Sequence, residues 1–261
     1  MQSITKHIPN TITLFNLFCG IIASVQGIYG QYQSALYFMI AAALFDFCDG
    51  LVARLLGAYS PLGKELDSLA DMISFGLAPT LMVLSFTTST YQPYYIAAKE
   101  SGESTYLYSL IMLLPLLLAA CSALRLAKFN IDTRQTHNFI GLATPASAMM
   151  IGGLMASLKE FDIINKFFYS NAYVLVIATI ITALLLVSNI PMFSFKFKNL
   201  KWKENKIRFI FIIVSALFAI TYLLCGLFSL SFWIFTIFLS YIIINLFIYP
   251  FHKEQRVNEV A

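Results

Sequence analysis

The sequence predicts an all-α, polytopic membrane protein with about eight transmembrane helices in one integral membrane domain, 1–261. Of its 261 residues, 59% are hydrophobic and only 11% are charged, whereas about a quarter of the residues in a soluble domain are charged. Long apolar runs recur along the chain, and each is about long enough to cross a hydrocarbon core of ~30 Å. The expected spans are 10–29, 34–56, 66–87, 106–127, 140–158, 172–190, 207–228 and 230–249.

Local features predict how several spans begin, bend and pack. Asn10 follows Pro9 at the start of the first span, where it is a good helix N-cap. Pro115 is expected to kink the fourth span, because proline removes a backbone donor inside a helix. The fifth span is rich in glycine and alanine, which predicts close packing against neighbouring helices. The cysteines all lie in apolar runs and are interpreted as small buried residues rather than disulfide partners: Cys19, Cys48, Cys121 and Cys225.

The basic residues predict an orientation in the membrane. With a cytoplasmic N-terminus and eight spans, all but three of the 17 lysines and arginines lie on the cytoplasmic side, as the positive-inside rule requires. The predicted topology is therefore N-in and C-in, with segment 46–71 at the cytoplasmic face. The basic segment 195–209 is expected to lie against anionic headgroups. It serves there either as ordinary anchoring or as an element that steers lipid.

Four aspartates form two pairs where two apolar runs meet. Asp46 and Asp49 end the second span, and Asp67 and Asp71 begin the third. At about 100° per residue, each pair lies on one face of its helix. Small and basic residues share these faces: Gly50, Ala53 and Arg54 on the second span, and Gly63 on the third. The two glycines leave room for a ligand or a neighbouring helix to come close.

Four facing carboxylates repel one another and are costly at membrane depth. Divalent metal is the simplest compensation, and hard Mg²⁺, Mn²⁺ or Ca²⁺ suits an all-oxygen site. Two such ions can clamp a phosphoryl group during an in-line displacement. Zinc is not expected, because the only nearby sulfur or imidazole ligand, Cys48, points elsewhere on its helix. The alternative interpretation is structural, with aspartates that cap helix ends or form an ion pair with Arg54.

The pattern Asp46-x2-Asp49-Gly50-x2-Ala53-Arg54-x8-Gly63-x3-Asp67-x3-Asp71 resembles the complete signature of the CDP-alcohol phosphotransferases. That family transfers a phosphoalcohol from a CDP-alcohol to an acceptor hydroxyl, releases CMP and uses divalent metal. The resemblance implies that the four aspartates hold two ions of Mg²⁺ or Mn²⁺, and that Asp71 is also the general base. It further implies contacts with the CDP group from Asn10, Thr13, Asp46, Asp49, Gly50, Ala53, Arg54 and Gly63.

The residues in this set have different expected roles. Gly50 and Ala53 would let the nucleotide lie against the second helix, and Arg54 would bind a phosphate, because its planar fork suits that geometry. The opening PNTITLFNLFCG resembles the family's PN-x2-T segment, whose polar residues help to hold the CDP group. Asn10 therefore has two interpretations, an N-cap or a cytidine contact.

The acceptor is expected to lie near segment 124–146, LRLAKFNIDTRQTHNFIGLATPA, whose basic and amide groups could hold an anionic molecule such as a free amino acid. The candidate acceptor residues are Arg125, Lys128, Asn130, Arg134 and Thr144. The alternative is that the three cations are ordinary positive-inside residues. RLAKFN followed by F-x-G-L-x-T-P-A resembles the phosphatidylserine synthase branch, as does the opening segment. Ala143 departs from that branch, which commonly has proline there.

The resemblance implies transfer of a phosphatidyl group from CDP-diacylglycerol to L-serine at the cytoplasmic face of a bacterial or archaeal membrane. Membrane lipids are further expected partners, and nucleic acid is not. Residues 1–158 would supply the catalytic helices, and 172–249 additional packing helices with a face for a homodimer. Two alternatives stay open. One is another acceptor, glycerol 3-phosphate or inositol phosphate; the other is a cation-coupled transporter, which the absence of Asp and Glu from the last three spans disfavours.

Overall fold

The computed structural model describes residues 7–131, 139–192, 202–224 and 229–260, which are almost entirely helical. Helices α1 and α2 pack against each other along their length, and α3 runs through a π-helical segment (Met72–Leu77) into α4. The helices are α1 (His7–Ile28), α2 (Tyr32–Leu56), α3 (Pro61–Asp71), α4 (Ala78–Ser101), α5 (Tyr106–Leu113), α6 (Leu116–Ile131), α7 (Thr144–Ser157), α8 (Asp162–Ser170), α9 (Ala172–Val187), α10 (Trp202–Leu224) and α11 (Leu230–Val260).

The all-α prediction is confirmed, and the described residues add to the helices one short two-stranded antiparallel ladder. Strand β1 (Phe139–Ile140) pairs with β2 (Pro191–Met192). The pairing continues through Gly141, whose backbone nitrogen donates to the Ile190 carbonyl at 2.9 Å. Gly141 has a φ of 77°, a conformation that glycine adopts at little cost. The ladder therefore fastens the chain before α7 to the end of α9.

The ladder also shortens the expected fifth span, 140–158. Helix α7 begins only at Thr144, after Ala143 with an extended ψ of 136°, and Pro145 lies in its first turn. Its 14 residues reach about 21 Å, less than the ~30 Å of a hydrocarbon core. Ala143, where the related branch commonly has proline, takes an extended conformation that proline also accepts.

The described residues include five helical stretches that are long and apolar enough to cross a membrane, which confirms a polytopic membrane protein. A sixth is added if α8 and α9, which are bent by 88°, count as one span. The number eight is not confirmed, and the N-in, C-in orientation stays a prediction. The five stretches are His7–Ile28, Tyr32–Leu56, Pro61–Ser101, Tyr106–Ile131 and Leu230–Phe247.

The third span is much longer than the expected 66–87. It forms 41 residues of continuous helix, because the π-helical segment carries the chain from α3 into α4 without a break and Pro93 does not end α4. The fourth span behaves as predicted, since α5 ends at Leu113 and α6 begins at Leu116, on either side of Pro115.

The turn between α2 and α3 sets the spacing of the aspartate pairs. Gly57, with a φ of 59°, ends α2 in the left-handed conformation that favours glycine. Ser60 then caps α3, accepting a hydrogen bond from the Gly63 nitrogen at 2.9 Å, and Pro61 begins the helix. The turn therefore brings Asp67 of α3 to the two aspartates at the end of α2.

Helix α7 lies at the centre of the bundle, and it packs closely against its neighbours, as its small residues predict. Every residue of α7 except Pro145 is buried. Gly152 faces Leu36 and Met39 of α2, and the backbone of α11 packs closely over Gly153. The α7 sequence therefore allows α2 and α11 to approach the same short helix from two sides.

A cluster of polar side chains joins three helices at the end of the bundle opposite the aspartate pairs. Glu160, just after α7, accepts hydrogen bonds from Gln33 at 3.1 Å and from Ser231 at 2.8 Å, and also from Ser229. These donors stand at the starts of α2 and α11. The cluster therefore fixes α11 antiparallel to α7.

The cysteines follow the sequence interpretation only in part. Cys19 is buried and Cys121 is half-buried, but Cys48 is exposed on α2, and all three carry free thiols. Cys48 is two residues from Asp46 and so points to the other side of α2. Cys225 lies outside the described residues.

Gly153→Ala is expected to destabilise the bundle. The new Cβ would lie 2.8 Å from both the Phe235 nitrogen and the Ser231 oxygen, backbone atoms that cannot rotate away. Overpacking of this kind costs about 1–3 kcal/mol, so the thermal unfolding midpoint in detergent should fall. Gly50→Ala is the control for stability, because nothing lies within 4 Å of its added Cβ. An unchanged midpoint for Gly153→Ala would contradict the tight contact between α7 and α11.

Candidate active site

The structure brings three of the four predicted aspartates into one cluster. A carboxylate oxygen from each of Asp46, Asp49 and Asp67 lies within 4.8 Å of the other two. Asp49 is only 6% exposed, while the other two are half-buried. Asp71 stands one helical turn beyond Asp67 on the same face, within electrostatic range of it. The helical periodicity of α2 and α3 therefore places these acids as the sequence predicts.

The aspartate cluster fits a divalent metal. Asp67 Oδ1 is buried, and no partner donates to it within the described part of the chain. The Thr13 hydroxyl donates to Asp49 Oδ2 at 2.6 Å, which fixes the orientation of that carboxylate. An unsatisfied buried carboxylate oxygen is costly, and hard cations such as Mg²⁺ and Mn²⁺ bind such oxygens. The cluster could therefore hold a divalent metal ion.

Asp71 is held by a second network, which begins on α1. Asn16 Nδ2 donates to Asp71 Oδ1 at 3.3 Å, and the Ser74 hydroxyl donates to Asn16 Oδ1 at 2.7 Å. Asn16 and Ser74 are fully buried. Gly20 allows this approach, because a Cβ there would contact the Ser74 hydroxyl and lie 2.8 Å from its Cα. The network fixes the Asp71 carboxylate against α1.

The π-helical segment places Ser74 in this network. The segment starts at the residue after Asp71 and lies against both α1 and α6. Because a π-helix has more residues per turn than an α-helix, it changes which residues face α1. Single-turn π-helical segments are frequent at functional sites.

A cavity of about 210 Å³ opens beside the aspartate cluster. It gathers six of the eight residues predicted to contact the CDP group, namely Asn10, Thr13, Asp49, Gly50, Ala53 and Gly63. The remaining lining residues come from the start of α1, the α2–α3 turn and α3: Pro9, Ala58, Tyr59, Ser60, Lys64 and Asp67. Asp46 belongs to the adjacent cluster, and Arg54 does not line the cavity.

The structure argues against two interpretations in this region, Asn10 as an N-cap and Arg54 as an ion-pair partner of the aspartates. Helix α1 has already formed at His7, so Asn10 is not its N-cap; its side-chain oxygen lies against Gly63 instead. Arg54 is exposed, and its Nε donates to the Gly50 carbonyl of its own helix at 2.9 Å. Among the described residues Arg54 forms no ion pair with an aspartate, which argues against the structural ion-pair interpretation.

Arg125 is the buried cation of the predicted acceptor region. It is 7% exposed on α6, and its Nη1 donates to the Thr144 hydroxyl at the start of α7 at 2.8 Å. Its guanidinium also lies over the Phe129 ring, 5.3 Å from the centroid. Arg125 is within electrostatic range of Asp71. A positive-inside residue would instead be expected to face water, so burial argues for a specific role.

A second cavity, of about 450 Å³, lies beside Arg125 at the end of α6. Lys128 and Ile131 of α6 line it together with Ile140 of β1 and the end of α9. The α9 residues and those just after it are Leu186, Val187, Ser188 and Asn189. This cavity brings together two of the predicted acceptor residues, Arg125 and Lys128.

Asn130 does not line that cavity. The Asn130 carbonyl accepts from Lys64 Nζ at 2.9 Å, and its side-chain amide donates to the Ser68 hydroxyl at 2.9 Å. Asn130 therefore ties the end of α6 to α3 between the two cavities. Arg134 lies outside the described residues.

Asn16 and Ser74 are site residues that the sequence reasoning missed. A signal for Asn16 exists, because it is an amide in an apolar run three residues after Thr13 and so shares its helix face. Ser74 gave no comparable signal, because its position relative to α1 depends on the π-helical segment.

Thr13→Val is expected to weaken metal binding while keeping the shape of the side chain. Hydrogen bonds that orient metal ligands typically contribute 10–100-fold in affinity, so Mn²⁺ should bind about tenfold more weakly. Electron paramagnetic resonance of free Mn²⁺ measures this. Thr11→Val is the matched control, because its exposed hydroxyl donates only to the His7 carbonyl. Equal Mn²⁺ affinity in Thr13→Val and wild type would contradict the role of Thr13.

Comparison with known proteins identifies relatives of the whole site region. Residues 6–185 match the family described as CDP-alcohol phosphatidyltransferase. The chain is 33% identical over 191 residues to the CDP-diacylglycerol--serine O-phosphatidyltransferase of Bacillus subtilis, covering 73% of this chain and 92% of that protein. The Helicobacter pylori (strain 26695) protein of the same name is 30% identical over 215 residues, 80% of this chain and 81% of its own.

An archaeal protein is similar at the same level. The archaetidylserine synthase of Methanothermobacter thermautotrophicus is 32% identical over 183 residues, which cover 69% of this chain and 71% of that protein. The family match contains every element that supplies the aspartate cluster, the first cavity, Arg125 and Thr144. This chain belongs to the CDP-alcohol phosphatidyltransferase family.

Proposed function

We propose that this protein transfers the phosphatidyl group of CDP-diacylglycerol to the hydroxyl of L-serine, forming phosphatidylserine and CMP. The observation that carries the proposal is that a buried arginine, Arg125, lies within electrostatic range of Asp71, next to the aspartate cluster. The three relatives described above are all named for serine lipids. An acceptor with both a hydroxyl and a carboxylate suits a site that offers a base and a guanidinium.

The CDP group would occupy the first cavity. Gly50 leaves open space there, so the nucleotide can approach the backbone of α2 closely. Asn10 and Lys64 line the same cavity and supply an amide and a cation for the base and the phosphates. The diacylglycerol chains would lie against the apolar outer surfaces of the helices, where many large hydrophobic side chains are exposed.

The aspartates would hold Mg²⁺ or Mn²⁺, and we propose two ions, since Asp71 adds a fourth carboxylate one turn beyond the three-aspartate cluster. Bound divalent metal would neutralise charge on the phosphates and stabilise the departing CMP. Thr13 orients Asp49 by its hydrogen bond, and the buried Asp67 carboxylate has an oxygen available for a ligand.

Asp71 is proposed as the general base. The serine oxygen forms a bond to the phosphorus that bears diacylglycerol, and the bond from that phosphorus to the bridging pyrophosphate oxygen breaks. The serine proton passes to Asp71, and CMP leaves with the electron pair. Asn16 keeps the carboxylate in position for this transfer through its bond to Oδ1.

Arg125 is proposed to bind the serine carboxylate. A guanidinium binds a carboxylate through two parallel hydrogen bonds. Thr144 accepts a hydrogen bond from Arg125 at the start of α7 and so holds its guanidinium in place. Since Asp71 is within electrostatic range of Arg125, serine can place its carboxylate at Arg125 and its hydroxyl at Asp71. Its ammonium group would be attracted to the acidic side. Lys128, in the second cavity, would attract the anionic end of the incoming acceptor.

The orientation in the membrane belongs to the same proposal. The site would face the cytoplasm of a bacterial or archaeal cell, because CDP-linked substrates and serine are found there and most cations lie at that end. Residues 1–158 would supply the chemistry, and the helices of 172–249 would mainly support it. A homodimer contact through those helices stays a prediction.

Two other functions remain as outcomes of a test. Glycerol 3-phosphate or inositol phosphate would also be attracted by Arg125 and Lys128, so charge alone does not select serine. A cation-coupled transporter would use acids along a path through the membrane, whereas the aspartate cluster lies at one end of the bundle, where α2 ends and α3 begins.

Purified protein in mixed micelles with CDP-diacylglycerol and Mg²⁺ or Mn²⁺ should release CMP when serine is added. Asp71→Asn should lower this rate by on the order of 100-fold or more, because general-base catalysis contributes about 10²–10⁴-fold. Asp162→Asn, an exposed aspartate at the start of α8, is the matched control and should keep the wild-type rate.

The same assay separates the alternatives. Release stimulated by glycerol 3-phosphate or inositol phosphate but not by serine would keep the family reaction and refute serine as the acceptor. No release with any of the three acceptors, from protein shown to be folded, would contradict the transferase proposal and favour the transporter.

A further inference from the structure

The last helix, α11, lies outside the segment that matches the family, which ends at residue 185. It nevertheless packs along the central helix α7. Ser231 contacts Glu160 beyond the far end of α7, and the α11 backbone at Ser231 and Phe235 lies against Gly153. Helix α11 therefore starts at the end opposite to the aspartates and runs back toward them.

The buried side of α11 carries polar groups to the level of the acceptor region. At 1.5 Å per residue, Tyr241 lies about 9 Å beyond Phe235 toward the site. Thr144 lies about 13 Å from Gly153 in the same direction. Tyr241 is 3% exposed and Asn245, one turn further, is also 3% exposed. A large phenol is therefore buried near the end of α7 where Arg125 donates to Thr144.

Tyr241 lies within electrostatic range of Arg125, although the two residues stand on helices that are distant in sequence. Both are buried, so the interaction is not screened by water as it would be at the surface. Ring packing holds the Tyr241 side chain, and a hydrogen bond from Asn245 reaches its backbone. The edge of its ring packs against Phe211 of α10, with centroids 6.1 Å apart, and its carbonyl accepts from Asn245 Nδ2 at 2.7 Å.

The chemistry of the two groups is complementary. A guanidinium has five N–H donors, and a phenol oxygen is both acceptor and donor. Thr144 accepts a hydrogen bond from one guanidinium nitrogen of Arg125, Nη1. A second point of contact would fix the plane of the guanidinium group. Tyr241, whose ring packs against Phe211, is placed to provide that second point.

We propose that Tyr241 is a positioning residue that holds the Arg125 guanidinium in the orientation that receives the acceptor's carboxylate. The inference rests on the proposed function and extends it to a helix beyond the family segment. It assigns α10 and α11 a part in acceptor recognition, through the chain Phe211–Tyr241–Arg125, in addition to packing.

Tyr241→Phe tests the inference, since it removes only the phenol oxygen and keeps the ring that packs on Phe211. We expect the serine KM to rise on the order of fivefold, the effect of one lost hydrogen bond. The KM for CDP-diacylglycerol and the thermal unfolding midpoint should stay at their wild-type values. Tyr222→Phe is the matched control on α10, where the ring stacks on Phe218, and its kinetics should match wild type.

A double-mutant cycle with Arg125→Lys distinguishes positioning from structural support. Lysine keeps the charge but lacks the planar fork, so Arg125→Lys alone should raise the serine KM. If Tyr241 acts through the fork, adding Tyr241→Phe to Arg125→Lys should give no further increase.

Several outcomes would overturn the inference. An unchanged serine KM in Tyr241→Phe would do so, as would equal rises in the KM values of both substrates with a lower unfolding midpoint. Additive effects in the cycle would also refute action through Arg125. These results are separate from failure of the proposed function, which would appear as wild-type protein that does not use serine.

Discussion

The repulsion among four carboxylates at one end of a membrane helix bundle is the constraint on which the site depends. Asp46, Asp49 and Asp67 converge on one point, and Asp71 lies on the next turn. Charges so close in a medium of low polarity are costly without a cation. Much of the surrounding structure therefore serves to hold acids where a metal can bind them. Thr13 donates to one, and the capped turn between α2 and α3 sets the distance between the pairs.

The proposed acceptor side lies where several helices meet at the start of α7. Arg125 on α6 reaches Thr144, and the β1–β2 ladder fixes the chain just before it. Helix α7 is short, buried and made of small residues, so α2 and α11 can both lie against it. Glu160, just after α7, fixes the start of α11, and the close packing of α11 along α7 then sets the position of Tyr241. The same packing that stabilises the bundle therefore also places the groups around the acceptor.

Helical periodicity made the aspartate faces predictable from the sequence, because α2 and α3 are regular up to Asp71. The small residues of α7 likewise predicted its close packing against neighbouring helices. Periodicity could not predict the contacts made after Asp71, where the π-helical segment changes the register and brings Ser74 to Asn16. Helix α7 begins only at Thr144 because the residues before it pair with β2. That pairing joins segments distant in sequence, so a local pattern does not reveal it. The hydrogen bond from Arg54 to its own helix is another contact that periodicity does not reveal, and its contact with the CDP group stays a prediction.

The central claim is that a serine hydroxyl attacks the phosphorus of CDP-diacylglycerol directly at this site. The most direct test of this attack supplies the purified protein with serine labelled with ¹⁸O in the hydroxyl group. The mass of the lipid product is then measured by mass spectrometry. Direct attack predicts phosphatidylserine that retains the label, together with CMP formed in equal amount and only when serine is present. Unlabelled phosphatidylserine, or no phosphatidylserine from folded protein with metal and both substrates, would contradict the claim.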